Sequence, residues 1–425
     1  MQAYLNKRQY SPAAWAEPLG RSPLFIIAIT FLLMTIGVET SGEPIKPYRF
    51  IYNSDGGNMF IYKVPPMTPS DVYSYVDEVA DTQVTTFFMC PSYCMPMMYP
   101  SRITEMIGST LIDKQRQFVE MAGCDPDSSK NHLERAIVNL NALVEAGHDP
   151  VGLVVERARE RKMEIFITFR LNEIHDVQNP ESLLVSKFWR EHPEWRVGKI
   201  GDRISPLFRD IIGGHPNHKV DPIVETWFPA ALDFSIPEVR ALRLAELREC
   251  CERYSIDGLD LDFQRFPIYF PQDEGQEHVE VMTSWVREVR EMTREVGNKR
   301  GRPLLLSARV LARPEQNLAI GLDPVNWAKA GLVDFLTVSH YLRNDFPLPI
   351  SEFRRLLPEN FPVYGSIEVE HDPDRYREIA SQLWEDGVDG ISLFNFFTTR
   401  ERGKEPPFEL LNQLGKPQAI KLLAD

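Results

Sequence analysis

The run "SIDGLDLDFQRFP" at residues 255–267 sets Asp257, Asp260 and Asp262 into an otherwise apolar stretch. Side chains along a strand alternate faces, so Asp260, Asp262 and Gln264 share one side and Leu259, Leu261 and Phe263 the other. A buried carboxylate without a partner is costly, and two side by side cost more. Such a pair persists where it is hydrogen-bonded, paired with a cation or open to a cleft. Arg265 and Arg309 are the cations that an ion-pair network would use. Paired carboxylates also carry out glycoside hydrolysis, one as nucleophile or base and the other as general acid. Asp262, nearest the end of the run, is the expected nucleophile or base, with Asp260 and Arg309 setting its charge and orientation. Glu368 or Glu370, from a later segment with apolar neighbours, is the expected acid.

Those acids need a scaffold that brings distant segments together. Eight short stretches rich in β-branched or aromatic residues follow Pro47: 48–54, 85–92, 163–171, 256–263, 303–311, 334–342, 362–370 and 390–397. Helical patterns separate them, among them "HLERAIVNLNALVEAG", "PEVRALRLAELRECCERYS" and "DPDRYREIASQLWEDG", with apolar residues at three- and four-residue steps. Strand and helix in alternation, with no Gly-rich phosphate loop after the first strand, predict a (β/α)8 TIM barrel rather than an open sheet. The C-terminal "PPFELLNQLGKPQAIKLL" reads as its last helix.

Long inserted loops follow strands 2 and 3, at residues 93–130 and 172–235. Both leave C-terminal strand ends, the face where such barrels keep their active sites. The second holds Trp189, Trp195, Trp227 and Phe228, flat faces on which a sugar ring can stack. Other strand ends deliver polar groups to the same face: Asn53 and Asp55, then Arg170, Asn172, Glu173 and His175, then Ser307 and Arg309, then His340 and Tyr341, and finally Asn395. With Arg265 and Trp227 these form the expected substrate-binding set.

The chain has 425 residues, 47 basic and 61 acidic, for a formal charge of −14. That balance disfavours nucleic acid and anionic lipid as partners and suits neutral or cationic ligands. Five cysteines, Cys90, Cys94, Cys124, Cys250 and Cys251, make no disulfide framework, and no HxH pair or HExxH helix accompanies them. No metal or cofactor is expected. Lys7, Arg8 and Arg21 precede the apolar run 24–38, after which "ETSGEP" follows. This is the layout of a signal peptide, with an uncleaved membrane anchor as the alternative, so residues 1–42 are set apart from a barrel over 43–425. The expected location is secreted or periplasmic, or anchored and facing outside the cytoplasm.

"YSIDGLDLDFQRFP", "FRLNEIHD", "FWREHPEW", "ALDFSIPEVRALRL" and "DPVNWAKAGLVDFL" together resemble the glycosyl hydrolase-like family 10 proteins of bacteria, over roughly residues 45–415. The resemblance implies an extracytoplasmic (β/α)8 glycosidase with a carbohydrate substrate. The strand motif is also similar to the DGxDxDxE strand of family 18 chitinases at Asp257, Gly258, Asp260 and Asp262. It departs at Gln264, where the chitinase acid would stand, and an amide cannot serve as a proton-donating acid. The alternative to an enzyme is therefore a barrel that binds carbohydrate without cleaving it.

Overall fold

A computed structural model describes residues 48–125, 131–213, 222–344 and 347–417. The expected signal or anchor at 1–42 lies outside the described residues. Among those described, no helix is long and apolar enough to cross a membrane. Eight parallel strands close into a barrel in chain order: β1 Phe50–Ser54, β2 Thr86–Met89, β3 Glu164–Arg170, β4 Gly258–Asp262, β5 Leu305–Leu311, β6 Phe335–Ser339, β7 Val363–Ile367 and β8 Gly390–Phe394. The fold is thus the (β/α)8 barrel that the alternation predicts, and each expected strand is present.

Local chemistry explains several of the helix starts. The Asp-Pro pairs 149–150, 323–324 and 372–373 each open a helix, with proline supplying a preset φ and needing no N–H partner. Each aspartate side chain accepts from a backbone N–H of the first turn, at 2.9 Å from Gly152, 2.9 Å from Asn326 and 3.0 Å from Asp374. Caps of this kind contribute about 1 kcal/mol apiece. The segment read as a last barrel helix differs. Its described part has a 3-10 turn at Phe408–Asn412, and residues 418–425 lie outside the described set.

Two kinds of core result from the strand alternation. Outward faces pack on the helices in one large cluster, while Ile51, Phe88, Phe166, Phe335 and Tyr364 form a second cluster on the barrel axis. Their rings interlock, Phe88 on Phe166 at 4.9 Å and Phe335 on Tyr364 at 5.2 Å. Gly258 is required here, because a Cβ at that position would lie 2.1 Å from the Phe166 ring. Both long loops leave the C-terminal ends of β2 and β3 and carry helices of their own, such as Asp113–Gly123 and Pro206–Gly213.

Candidate active site

Above the aromatic plug the axis turns polar, and the strand register sets the order. Thr168, Asp260 and Ser307 are aligned across β3, β4 and β5, and Arg170, Asp262 and Arg309 are aligned one step nearer the mouth. Asp260 accepts from Thr168 Oγ1 at 2.8 Å and from Ser307 Oγ at 2.7 Å. Complete burial, with Asp262 adding to it, pushes Asp260 up to about 7 against the two hydroxyls that favour its charged form. Protonation of Asp260 lessens the repulsion that a full second charge would exert on Asp262.

At the next level Arg309 stands between two acids. Its Nη1 donates to both oxygens of Asp262 at 3.1 Å, and its Nη2 donates to those of Glu368 at 2.8 and 2.6 Å. Asp262 also accepts from the Gln264 backbone N–H at 2.9 Å. The Arg309 guanidinium lies 3.9 Å over the Phe394 ring, with Arg170 at 5.9 Å from the same ring. Glu368 therefore meets a cation rather than the apolar wall expected from its sequence neighbours. Asp262 is 1 % exposed and Glu368 0 %, so this trio sits under a cover and not in an open pocket as the strand pattern suggests.

The third level lies at the mouth. Buried Glu173 accepts from the backbone N–H groups of Ile174 and His175 at 3.1 Å, and from Arg170 at 3.4 Å. It also contacts His175 Nδ1 closely. Burial pushes the Glu173 carboxyl up, but His175, Arg170 and Arg265 outweigh it and hold the group well below the usual carboxylate range. Arg265 Nη2 meets His175 Nε2 at 2.8 Å, and Arg265 Nη1 donates to Tyr341 Oη at 3.3 Å. Trp227 lies edge-on to His175 at 6.2 Å. A cleft of about 1380 Å³ has His340, Arg343 and Asn344 in its wall, and Glu173, His175, Arg265 and Trp227 do not line it. Asn344 Oδ1 accepts from the Glu368 backbone N–H at 2.9 Å, so the cleft wall and the buried trio share a strut.

Other expected residues have different positions. The Asn172 amide ties down the loop after β3, accepting from Leu232 N at 2.8 Å and donating to Leu232 O at 3.0 Å and to Ile268 O. Glu370 caps its own turn by accepting from His371 N at 2.7 Å and Asp372 N at 3.2 Å. Asn53 is buried on β1, in register with Phe88 and Phe394. Asn395 is partly buried with a left-handed φ of 56°, and its Oδ1 has no partner. Of the loop aromatics, Trp189 and Phe228 are buried, whereas Trp195 and Trp227 keep partial exposure. Sequence reasoning missed Thr168 and Asn344. Thr168 was legible from its parity with Arg170, but Asn344 sits in a loop whose path only the fold determines.

Cys94, Glu173 and His175 bring one sulfur, one oxygen and one nitrogen within 4.8 Å of one another, a set that suits zinc. Both ring nitrogens of His175 are engaged, however, by Glu173 and Arg265, and a metal on either would have to displace one of them. Two arginines beside the set add repulsion. Burial, then the Glu173 charge, pushes the Cys94 thiol well above its usual range, which disfavours the thiolate that a metal needs. These residues fit a metal poorly.

No protein-family model matches the sequence, and no curated protein matches it. Solved barrels do resemble it. The PgaB (BpsB) glycoside hydrolase domain from Bordetella bronchiseptica aligns at 11% identity over 87% of this chain and 99% of its own, with a TM-score of 0.47. An α-L-fucosidase isoenzyme 2 from Paenibacillus thiaminolyticus aligns at 13% identity over 89% of this chain and 49% of its own, with a TM-score of 0.47. A maltogenic α-amylase, AmyB, from Thermotoga neapolitana gives 13% identity over 82% and 68% and a TM-score of 0.40. At these identities and scores none of the three bears on the residues of the site.

Proposed function

We propose that the chain is a glycoside hydrolase acting on an oligo- or polysaccharide at the C-terminal mouth of the barrel. One observation carries the reading: carboxylates from β4 and from the end of β7 converge on the single guanidinium of Arg309. Asp262 acts as nucleophile or base and Glu368 as its partner acid, with Glu370 assigned to its own turn. Retaining and inverting hydrolysis differ in the separation of the two carboxylates and in the anomer first released. The anomer of the first product therefore decides between them. The resemblance to glycosyl hydrolase-like family 10, the leader or anchor at 1–42 and an extracytoplasmic location belong to the same proposal.

A second reading, a barrel that binds glycans without cleaving them, is favoured by the burial of both acids and by Gln264. The Gln264 amide donates to Val310 O at 2.5 Å and to Ser339 O at 2.9 Å, a strut and not an acid. Product release from a panel of plant, algal and bacterial polysaccharides distinguishes the readings. We expect cleavage by the parent and a loss of 10²–10⁴-fold in Asp262→Asn, with glycan affinity retained. Binding without cleavage by the parent across the whole panel would leave the second reading standing.

A further inference from the structure

The arginines at the mouth are not equivalent. Arg309 is held by two carboxylates and Arg170 touches Glu173, whereas Arg265 is held only by the imidazole of His175 and the hydroxyl of Tyr341. Among the described residues no carboxylate lies within ion-pair distance of Arg265. A guanidinium carries five N–H donors, and here two serve neutral acceptors. Its Nε is buried without an acceptor. Phe266 supports the guanidinium from below at 4.6 Å.

A second donor in the same condition meets the same imidazole. The indole Nε1 of Trp227 is buried and has no partner, and its ring meets the same His175 that holds Arg265. Trp189, by contrast, donates to Ala230 O at 2.9 Å, and Trp285 donates to Arg240 O at 3.0 Å. A buried indole N–H without an acceptor is costly, so its persistence at the mouth calls for a ligand atom. Arg265, His175 and Trp227 are each partly exposed, and a ligand can approach them.

Resting on the glycoside hydrolase reading, we propose that Arg265 and the Trp227 N–H receive the carboxylate of an acidic sugar, which makes the substrate a uronic-acid-containing glycan. Glu173 and His175 act as positioning residues. With Nδ1–H directed at Glu173, His175 presents Nε2 as an acceptor that fixes the Arg265 fork. A carboxylate supplies what these donors lack: a charge for Arg265 and a planar pair of acceptor oxygens. The overall charge of −14 opposes a polyanion at long range, so recognition is a short-range matter at this fork and is only weakly steered.

Calorimetric titration of the full chain tests the proposal. The probes are oligosaccharides of galacturonate, mannuronate/guluronate and glucuronate, each beside the same oligosaccharide with its carboxyls reduced to primary alcohols. The parent should bind at least one acidic probe ten-fold or more tighter than its reduced form. Arg265→Gln should erase that difference, Arg265→Lys should restore part of it, and Trp227→Phe should weaken the acidic probe alone by 3–10-fold. Equal binding of acidic and reduced forms, or a preference for the reduced ones, overturns the carboxylate site and leaves the hydrolase reading intact. Equal losses on both forms in Arg265→Gln overturn it too. Tight binding of a sulfated glycan with no uronate response would assign the fork to another anion. Binding of neither form, with cleavage of neutral glycans elsewhere in the panel, would also refute the carboxylate site alone.

Discussion

The barrel buries an arginine at each end of its axis, and the two are treated differently. At the N-terminal end Arg49 donates to both oxygens of Glu164, at 2.7 and 2.9 Å, with Tyr364 Oη at 3.1 Å and the Phe335 ring 4.6 Å away. Thr86 adds a hydroxyl to Glu164 at 2.8 Å. Among the described residues one cation meets one anion there, and both carboxylate oxygens are occupied. At the C-terminal end Arg309 meets two anions, with Asp260 below as a third carboxyl. A balanced pair closes the floor of the barrel, whereas above it two buried acids share the one guanidinium of Arg309, with Arg170 as the next cation in register, an arrangement that needs another reason to be there. That imbalance is the physical argument for reading the upper end as a site.

The largest effect should come from removing each arginine. Breaking a buried ion pair from one side costs about 3–5 kcal/mol, because the partner remains charged and dry. Arg49→Met should lose about that much in urea unfolding, and adding Glu164→Gln should restore most of it. Arg309→Met should lose at least as much, but neither Asp262→Asn nor Glu368→Gln alone should rescue it, since one acid always stays unpaired. Rescue of Arg309→Met by a single neutralisation would make the two ends alike and remove the imbalance.

Next in size is Gln264→Glu, which puts an acid where the chitinase-like motif would have one. The amide nitrogen of Gln264 faces Val310 O, Ser339 O and Ser339 Oγ. A carboxylate there would set an oxygen against two carbonyls, so we expect a loss of roughly 2–3 kcal/mol and no gain in cleavage rate. Stable folding with faster glycan hydrolysis would show that Gln264 belongs to the chemistry and not to the frame joining β4, β5 and β6.

The eight strands were legible because periodicity and apolar runs are local properties, and the strand pattern placed Asp260 and Asp262 correctly on the axis. The register then put Arg170 and Arg309, both named from strand ends, level with Asp262. The strand pattern could not show that Arg309 would join Asp262 to Glu368, because the rotation of β7 relative to β4 depends on closure of the whole barrel. Nor did it separate Asn172, spent on holding a loop, from His175 three residues later. Their side chains differ in what the long loop after β3 does above them, and that path rests on contacts with Leu232 and Ile268 far along the chain. Openness was misread for a similar reason. A polar inner face implies water only if nothing covers it, and Asp262 and Glu368 are buried almost completely.

A last test concerns pH, and it separates two buried carboxyls of the upper end by sign. Burial raises Asp260 from its ordinary value to about 7, so the folded protein keeps a proton there after the unfolded chain has released it, between about pH 4 and pH 7. The folded state binds more protons in that window, and stability therefore falls as pH rises, by about 1.4 kcal/mol per unit, levelling off above pH 7. Glu173, held below the usual range, works the other way and at lower pH: its contribution is present above the ordinary glutamate value and is lost as acid protonates it. Asp260→Asn keeps hydrogen-bonding capacity toward Thr168 and Ser307 but carries no titrating proton. Its unfolding free energy should be flatter than the parent's from pH 4 to pH 7 and unchanged in slope below. An equal decline in parent and variant would mean that Asp260 is ionised throughout. The mouth would then hold three buried charges against Arg309, a load that the Arg49 end never carries.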